Sequence, residues 1–459
     1  TTQAQTLAIR NATVIDGRGS PPRRGVDVCI AGGRIVSVAA RCAADPDSPV
    51  IDATGMYLVP GFVEMHVHVL EHGRDEKGEI PPHFDWTDVR RRLRLLLEHG
   101  ITTIRDPGSE TETAVALRGM LERGELAGPR LFTAGRILNA SSFNPEPFRP
   151  VSSADEVRQE IQRQKTAGVD FIKVYSAMPP ELLRVAVEEA HAAGLPVIGH
   201  LQRTTWTEAA RLGLDHLAHG APWTADLLPE SRRAGYVQTL FGRVYWLANL
   251  DLATPQVDTL VRELVRRGIP VDPTLIAYHT KFFGNHARWL QNPDNALLPP
   301  RVITGWQAGS FTRDWTAEQY AAAQRAWPRM LALTKLLFDR GVSLTVGTDA
   351  PTPWIVPGAS FHDELTLLRD AGIPAPAIIQ MATLNGARAL RRDAEFGTIE
   401  PGRQADLVLL ARDPLAAIEN TRSIAAVVQG GRVRCASLVL PGVMSRSVGR
   451  CGVTPRSSR

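Results

Sequence analysis

The sequence has little cysteine, little lysine and no long apolar run. Its 459 residues include four cysteines, none of them in a C-x-x-C pair and all near the two ends of the chain: Cys29, Cys42, Cys435 and Cys451. Isolated thiols are therefore expected, and a disulfide between the terminal segments stays open. No apolar run approaches the ~18–20 residues that cross a bilayer, so we expect no membrane association.

The sequence also lacks a strong excess of charge of one sign. The formal net charge is only +4 and acidic residues occur throughout, which excludes the basic surface of a nucleic-acid-binding protein. The first residues, 1–6, are polar and lack the apolar stretch of a signal peptide. We therefore expect a cytoplasmic protein, and secretion stays open because a chain that does not begin with Met has been processed or trimmed.

Short β-branched runs alternate with helical patterns from residue 57 to residue 349. The eight predicted strands are Leu58–His68, Ile101–Arg105, Arg130–Ala134, Val169–Tyr175, Leu195–His200, Leu214–His219, Ile269–Asp272 and Val342–Asp349. Glycines precede many of them, as in Gly168-Val169 and Gly268-Ile269, which is typical of helix C-terminal ends. Eight such units predict an α/β fold, a closed parallel (β/α)8 TIM barrel.

The two ends of the chain differ from this middle part, because strands and turns alternate there without helical patterns. Residues 1–57 and 396–445 are predicted to form one small β-sandwich domain beside the barrel of residues 58–395. The tail, 446–459, is rich in Arg and Ser and is expected to be disordered. A long aromatic insertion, residues 276–320, is either a lid over the site or an oligomer interface.

The stretch PGFVEMHVH at residues 60–68 carries two histidines on an apolar strand. Because side chains alternate on a strand, His66 and His68 point the same way. Two convergent imidazoles are good metal ligands, although buried histidines bonded to the backbone would give the same pattern. Other polar residues end the predicted strands on the face where barrel active sites form: His200, His219 and Asp349.

The rarity of lysine makes one lysine informative. Only five lysines occur among the 52 Lys and Arg residues, and Lys173 lies inside the apolar fourth strand. A desolvated lysine has a lowered pKa, and its neutral amine can add carbon dioxide to give a carbamate that bridges two cations. The alternative is a lysine that extends to solvent or pairs with a strand-end carboxylate such as Asp349.

Two assignments on strands six and eight depend on strand geometry. His216 and His219 are three residues apart, so only one of them can point inward. We expect this to be His219, at the strand end, and His216 to face the helices. Asp349 could be a turn residue, but strand eight neighbours strand one in a closed barrel and can bring it to His66 and His68.

These motifs resemble those of the amidohydrolase superfamily over essentially the whole chain. The resemblance rests on PGFVEMHVH, the strand-four lysine, the histidines of strands five and six, GTDA at 347–350 and GTIEPGRQADLV at 397–408. The chain looks most like the dinuclear-metal branch that holds imidazolonepropionase-like proteins, prolidase-like dipeptidases and ochratoxin-type amidases.

The resemblance implies two divalent metal ions, for which Zn2+ suits the nitrogen and oxygen ligands, and a carbon dioxide-derived carbamate. The implied ligands are His66, His68 and Asp349 for one ion, His200 and His219 for the other, and carbamylated Lys173 for both. A bridging hydroxide would attack the scissile carbonyl, with Asp349 as the catalytic base and then the acid.

The expected activity is hydrolysis of an amide bond in a small peptide-like or N-acyl amino acid-type substrate with an apolar or aromatic portion. The resemblance also implies a homo-oligomer. A deaminase, a lactonase or phosphotriesterase, a decarboxylase, or a non-catalytic scaffold stays open. Lys173 argues against deaminases, since many deaminase relatives lack this lysine and hold one metal ion.

Substrate contacts are expected just beyond strands four, seven and eight, at Tyr175, Tyr278, His279 and His362. Three tryptophans that follow strands five, six and eight are expected to ring the same mouth: Trp206, Trp223 and Trp354. The segment after strand three reads Gly135-Arg136-Ile137 where many prolidase-like relatives carry Gly-Gly-His. This difference argues against a dipeptidase.

Overall fold

A computed structural model describes residues 6–43, 48–70, 85–141 and 147–436. The predicted tail, 446–459, and the last residues of the predicted C-terminal β segment lie outside these ranges. Within them, no helix combines the length and the apolar character needed to cross a membrane.

The strands of the described residues are β1 (Thr6–Val14), β2 (Arg23–Ala31), β3 (Arg34–Ala39), β4 (Val50–Asp52), β5 (Tyr57–Pro60), β6 (Phe62–Glu64), β7 (Ile101–Asp106), β8 (Arg130–Thr133), β9 (Ile137–Asn139), β10 (Phe148–Pro150), β11 (Ile172–Val174), β12 (Val197–Gly199), β13 (His216–Ala218), β14 (Val271–Asp272), β15 (Leu407–Leu410), β16 (Ile424–Gln429) and β17 (Arg432–Ala436).

The helices of the same residues are α1 (Trp86–Glu98), α2 (Thr111–Glu122), α3 (Ala154–Ala167), α4 (Pro180–Ala192), α5 (Trp206–Leu212), α6 (Glu230–Arg233), α7 (Leu240–Asn249), α8 (Pro255–Arg267), α9 (Leu275–Phe282), α10 (Ala287–Leu290), α11 (Pro300–Ala308), α12 (Ala317–Asp339), α13 (Ala359–Asp370), α14 (Ala375–Gln380) and α15 (Gly386–Ala389). Gly168 and Gly268 end α3 and α8 with φ of 94° and 65°, as the sequence predicted.

One sheet joins the two ends of the chain. Its strand order is β17-β16-β15-β5-β1-β2-β3, with β4 beside β1, and β15 pairs antiparallel with β5. Alternating apolar side chains of these strands form a core of their own, which includes Ile9, Val28, Leu58 and Leu407. The shared terminal sheet agrees with the sequence, and its arrangement as a two-layered sandwich stays a prediction.

The predicted first barrel strand, Leu58–His68, is divided at Gly61. The residues before Gly61 form β5 and pair with the terminal strands β1 and β15, whereas the residues after it form β6 and pair with β7. A Cβ atom added to Gly61 would lie 2.1 Å from Oγ1 of Thr102, so only glycine fits where the chain crosses between the two sheets.

Parallel strands form the predicted closed ring. The strands β6-β7-β8 and β11-β12-β13-β14 are each hydrogen-bonded in chain order. Parallel bridges from Ala134 to Phe171 and from Val271 to Leu344 join these groups to each other and to the eighth segment, residues 342–349. A further bridge between Val67 and Ala350 closes the ring. The eighth segment therefore lies beside the H-x-H segment.

The aromatic insertion is helical, and most of its aromatic rings are packed inside it. Trp289 and Trp306 are buried, whereas Phe311 is exposed. The three tryptophans expected to ring the mouth are buried as well, and Trp354 packs on Trp306 with their ring centroids 6.0 Å apart. The three tryptophans therefore present no exposed aromatic surface, because their side chains are packed in the core.

The expectation of isolated thiols is also wrong. Cys29 on β2 and Cys42 after β3 form a disulfide with their Cα atoms 6.2 Å apart, and Cys435 is disulfide-bonded too. Spacing along the chain gave no signal, because the antiparallel pairing of β2 with β3 brings the first two cysteines together.

Replacing Cys29 and Cys42 together by serine should lower the free energy of unfolding of the terminal sheet by about 3 kcal/mol, since the disulfide closes a short loop. Guanidinium denaturation with and without dithiothreitol measures this effect. The double variant should respond less to the reductant than the parent protein does. An unchanged midpoint in the double variant would contradict a stabilising disulfide.

Candidate metal centre

The sequence-predicted polar residues lie at one end of the barrel. Lys173 is the middle residue of β11, His200 directly follows β12, and His219 directly follows β13. His66 and His68 follow β6, and residue 349 ends the eighth segment. Because parallel strands end at the same edge, this is the carboxyl-terminal face of the barrel.

His66, His68 and Asp349 form the first group. One ligand atom from each residue lies within 4.8 Å of the others. The Nε2 atoms of both histidines lie 3.5 Å from Oδ1 of Asp349. Asp349 adopts a φ of 65°, a left-handed backbone conformation that is uncommon for residues other than glycine and is concentrated at functional sites. The group can hold a divalent cation.

His200 and His219 form the second group. Nδ1 of His200 lies 2.9 Å from Nε2 of His219. Burial is the largest cause that lowers the pKa of both rings well below the usual range, so both are neutral. Two neutral ring nitrogens this close share a proton or a cation. The His66 and His219 ring centroids are 4.8 Å apart, so the two groups adjoin.

Hydrogen bonds on the far side of three rings turn their Nε2 atoms toward the centre. Nδ1 of His66 donates to Oδ2 of Asp272 at 2.8 Å, and Nδ1 of His68 lies 3.3 Å from the Gly108 carbonyl. Nδ1 of His219 lies 2.7 Å from the Thr274 hydroxyl. Since an acceptor fixes the proton on Nδ1, the Nε2 lone pair stays available for a metal.

The charge of Lys173 acts on histidines of both groups. Its amine is buried and has no hydrogen-bond partner in the described part of the chain. Burial lowers the pKa of Lys173 to about 8. The negative charge of Asp272 raises this pKa, and the positive charge of Arg105 lowers it further. The Lys173 charge also lowers the pKa of the surrounding histidines, after burial. An orphaned, readily neutralised amine fits a carbamate bridge.

Asp349 is ionised in this setting. Burial acts to raise its pKa, but hydrogen bonding to His68 and the nearby His66 and Lys281 outweigh burial and hold the pKa below its usual range. A carboxylate that faces the rings of both strand-one histidines can bind a cation and accept a proton.

The expectation that His216 faces the helices is wrong. Both of its ring nitrogens lie 3.1 Å from the Arg105 guanidinium, and Nε2 lies 3.3 Å from Asp272, the partner of His66. His219 also points inward, because its φ of 71° ends the regular alternation of the strand. Burial, aided by Arg105, lowers the pKa of His216 to about 4, so the ring is neutral.

Two of the four predicted substrate contacts are near the centre. The Tyr175 ring lies 4.4 Å from His200 and the Tyr278 ring lies 6.0 Å from His219, centroid to centroid. The Trp223 indole donates to the Tyr278 hydroxyl at 3.0 Å.

The other two predicted contacts do not reach the centre. His279 accepts a hydrogen bond from the Trp289 indole and stacks on Phe283 inside the insertion. His362 is fully buried, with its ring nitrogens at the Thr421 hydroxyl and the His99 carbonyl. Both predictions of substrate contact are corrected, because these side chains are enclosed by other parts of the fold.

Asp272 and Arg105 are part of the site and were missed by the sequence reasoning. Asp272 is fully buried at the end of β14 and contacts His66 and His216. Asp272 is the last residue of predicted strand seven, and the ends of other predicted strands carry the candidate metal ligands. This position could therefore have indicated that Asp272 belongs to the site. Arg105 gave no comparable signal, since arginine is abundant in this chain.

A cavity of 560 Å³ opens at the opposite end of the barrel. Pro196, Leu214 and Ile269 line it, and these residues precede the strands. Arg105 and His216 also line it, so these two side chains separate the cavity from Asp272. The cavity does not include the candidate metal ligands.

The amidohydrolase family model matches residues 57–222 and 272–434, which is well over half of the chain. The chain therefore belongs to the amidohydrolase family and is an enzyme that hydrolyses carbon–nitrogen bonds, as the sequence predicted. A dihydroorotase of Anaeromyxobacter sp. (strain K) is similar in sequence, with 25% identity over 422 residues. The match covers 86% of this chain and 87% of that protein.

The fold is shared with solved structures of the expected branches. Bottromycin amidohydrolase has a TM-score of 0.71 at 23% identity and covers 94% of this chain and 88% of its own. A Xaa-Pro dipeptidase with bound methionine has a TM-score of 0.69 at 20% identity, over 93% and 99% of the two chains. A. niger ochratoxinase has a TM-score of 0.65 at 18% identity, and the match covers 94% of this chain and 96% of that chain.

Proposed function

We propose that this enzyme is a dinuclear metal-dependent amidase that acts on a peptide-like or N-acyl amino acid-type substrate with an apolar or aromatic portion. The observation that carries the proposal is the buried Lys173 amine, which has no hydrogen-bond partner among the described residues and lies among neutral histidines. A simple ion pair with Asp349 would have given the amine a bonded carboxylate instead.

His66, His68 and Asp349 would hold one divalent ion, and His200 and His219 would hold the other. A carbamate on Lys173 would reach both ions. Zinc suits this mixture of imidazole nitrogen and carboxylate oxygen. The hydrogen bond that Nδ1 of His66 donates to Asp272 supports the assignment, because a carboxylate behind a histidine is the usual means of orienting that ligand.

Hydrolysis would use the protein groups as follows. When bound, the ions would supply Lewis-acid activation of the scissile carbonyl and of water. The Asp349 carboxylate takes one proton from the attacking water and gives it to the departing nitrogen, so that an amide and water yield an acid and an amine. Burial raises the pKa of Tyr278, which keeps its hydroxyl protonated as a donor beside the centre.

Aromatic packing beside the second histidine group supports an apolar substrate portion. The half-buried Tyr175 ring packs on His200 and Phe148, with ring centroids 4.4 Å and 4.9 Å apart. Deamination, lactone or phosphotriester hydrolysis and decarboxylation on the same site remain alternatives.

The disulfide between Cys29 and Cys42 favours an oxidising compartment over the expected cytoplasmic location.

Homo-oligomer formation stays a prediction.

Replacing Lys173 by alanine should abolish activity and reduce bound metal, because the bridging group is removed. Elemental analysis and activity in metal-free buffers measure both effects, and acetate or propionate should restore part of the activity. Lys165→Ala removes an exposed lysine from α3 and serves as the control. Full activity of Lys173→Ala would contradict the bridge.

Asp349→Asn separates proton transfer from metal binding. The amide oxygen can still bind a cation but cannot take the proton, so kcat should fall by about 10²–10⁴-fold while most of the metal remains. Steady-state kinetics and metal content, measured on the same preparation, test this. An unchanged kcat would show that another group carries the proton.

A panel of N-acetyl amino acids and dipeptides tests the substrate class. N-acetylphenylalanine should be hydrolysed with a kcat/KM about tenfold or more above that of N-acetylalanine, because its ring can pack on the half-buried ring of Tyr175 beside His200. Chromatographic detection of the released amino acid is the measurement. Equal rates across the panel would contradict an aromatic preference, and absence of hydrolysis throughout would contradict the proposed amide substrates.

A further inference from the structure

Arg243 is a cation placed over the aromatic wall of the candidate site. It lies on α7, and its guanidinium carbon is 5.5 Å from the ring centroids of both Trp223 and Tyr278. The side chain is half-buried, and in the described part of the chain its contacts are with these two rings, without a side-chain hydrogen bond or ion pair. The two rings attract the charge but accept no ordinary hydrogen bond, so the guanidinium N–H donors remain available to a ligand.

Arg243 is close to the candidate metal ligands. The Tyr278 ring on which it packs lies 6.0 Å from the His219 ring. The pKa of His200 is lowered most by burial, next by the charge of Lys173, and then by the charge of Arg243. The guanidinium and the second histidine group therefore adjoin the same tyrosine ring.

Lys281 is a second cation on the same tyrosine. Its amine lies 5.7 Å from the Tyr278 ring centroid and 5.2 Å from that of Phe311. It donates to the Ala277 carbonyl at 2.6 Å, which fixes the amine at this wall, and its charge acts on Asp349. Two cations thus flank one aromatic ring at the edge of the centre.

We propose that Arg243, assisted by Lys281, binds a carboxylate of the substrate and makes the enzyme selective for amides that carry one. This inference rests on the proposed amidase function and narrows its substrate class. A guanidinium held by two rings presents its planar edge to a carboxylate, which it can bind through two hydrogen bonds. The carboxylate belongs either to the amino acid released or to the acyl portion.

Two matched pairs of probes test the proposal and locate the carboxylate. N-acetylphenylalanine and N-acetylphenylalaninamide differ only by a charge on the amine side. N-succinylbenzylamine and its terminal carboxamide differ by a charge on the acyl side. Calorimetric binding is measured on the metal-depleted protein, and kcat and KM are measured separately on the metal-loaded protein, using the parent and Arg243→Met.

The parent protein should bind at least one carboxylate about tenfold more tightly than its carboxamide. Arg243→Met keeps an apolar side chain on the rings but should lose this preference, chiefly through a higher KM. Lys281→Met should lose a smaller part of it. Arg288→Met is the matched control, since Arg288 packs over Trp289 elsewhere in the insertion, with its guanidinium carbon 4.8 Å from that ring centroid.

The proposal is overturned if neither pair shows a preference for the carboxylate, if no probe binds, or if Arg243→Met keeps the preference. Binding selectivity without hydrolysis of any probe would support the carboxylate site and contradict the amidase function. Hydrolysis of both members at equal kcat/KM in each of the two pairs would support the amidase function and contradict the carboxylate site.

Discussion

The site depends on an amine that the barrel encloses without offering it a hydrogen-bond partner in the described part of the chain. An unsatisfied buried polar group costs free energy, and burial already moves Lys173 toward its neutral form with a pKa of about 8. A carbamate held between two cations would remove that cost and also balance the cations. The neutral histidines around the amine are consistent with this account, because protonated rings could not bind a metal.

Closure of the barrel brings the two sides of the centre together. The bridge from Val67 to Ala350 places the eighth segment beside the H-x-H segment, so that residue 349 meets both histidines. His219, Thr274 and Asp349 all adopt positive φ at strand ends, at a cost of order 1–3 kcal/mol each. The surrounding hydrogen bonds, including the one between Nδ1 of His219 and the Thr274 hydroxyl, hold this geometry in place.

The sequence predicted the parallel ring and the residues at its strand ends, because strand alternation and parallel packing follow simple periodic rules. It could not locate the break at Gly61, which follows from the approach of Thr102 from another strand. It misplaced His216, since a positive φ at His219 lets both rings point inward. The disulfide and the enclosure of His362 depend on contacts between distant parts of the chain. Local patterns carry no such information.

A high-resolution crystal structure of the protein grown with zinc tests the central claim most directly. The account predicts two anomalous peaks, one at His66, His68 and Asp349 and one at His200 and His219. It also predicts density for a carbamate that extends from Lys173 to both peaks. A single fully occupied peak beside an unmodified lysine, or no peak in an active protein, would contradict it.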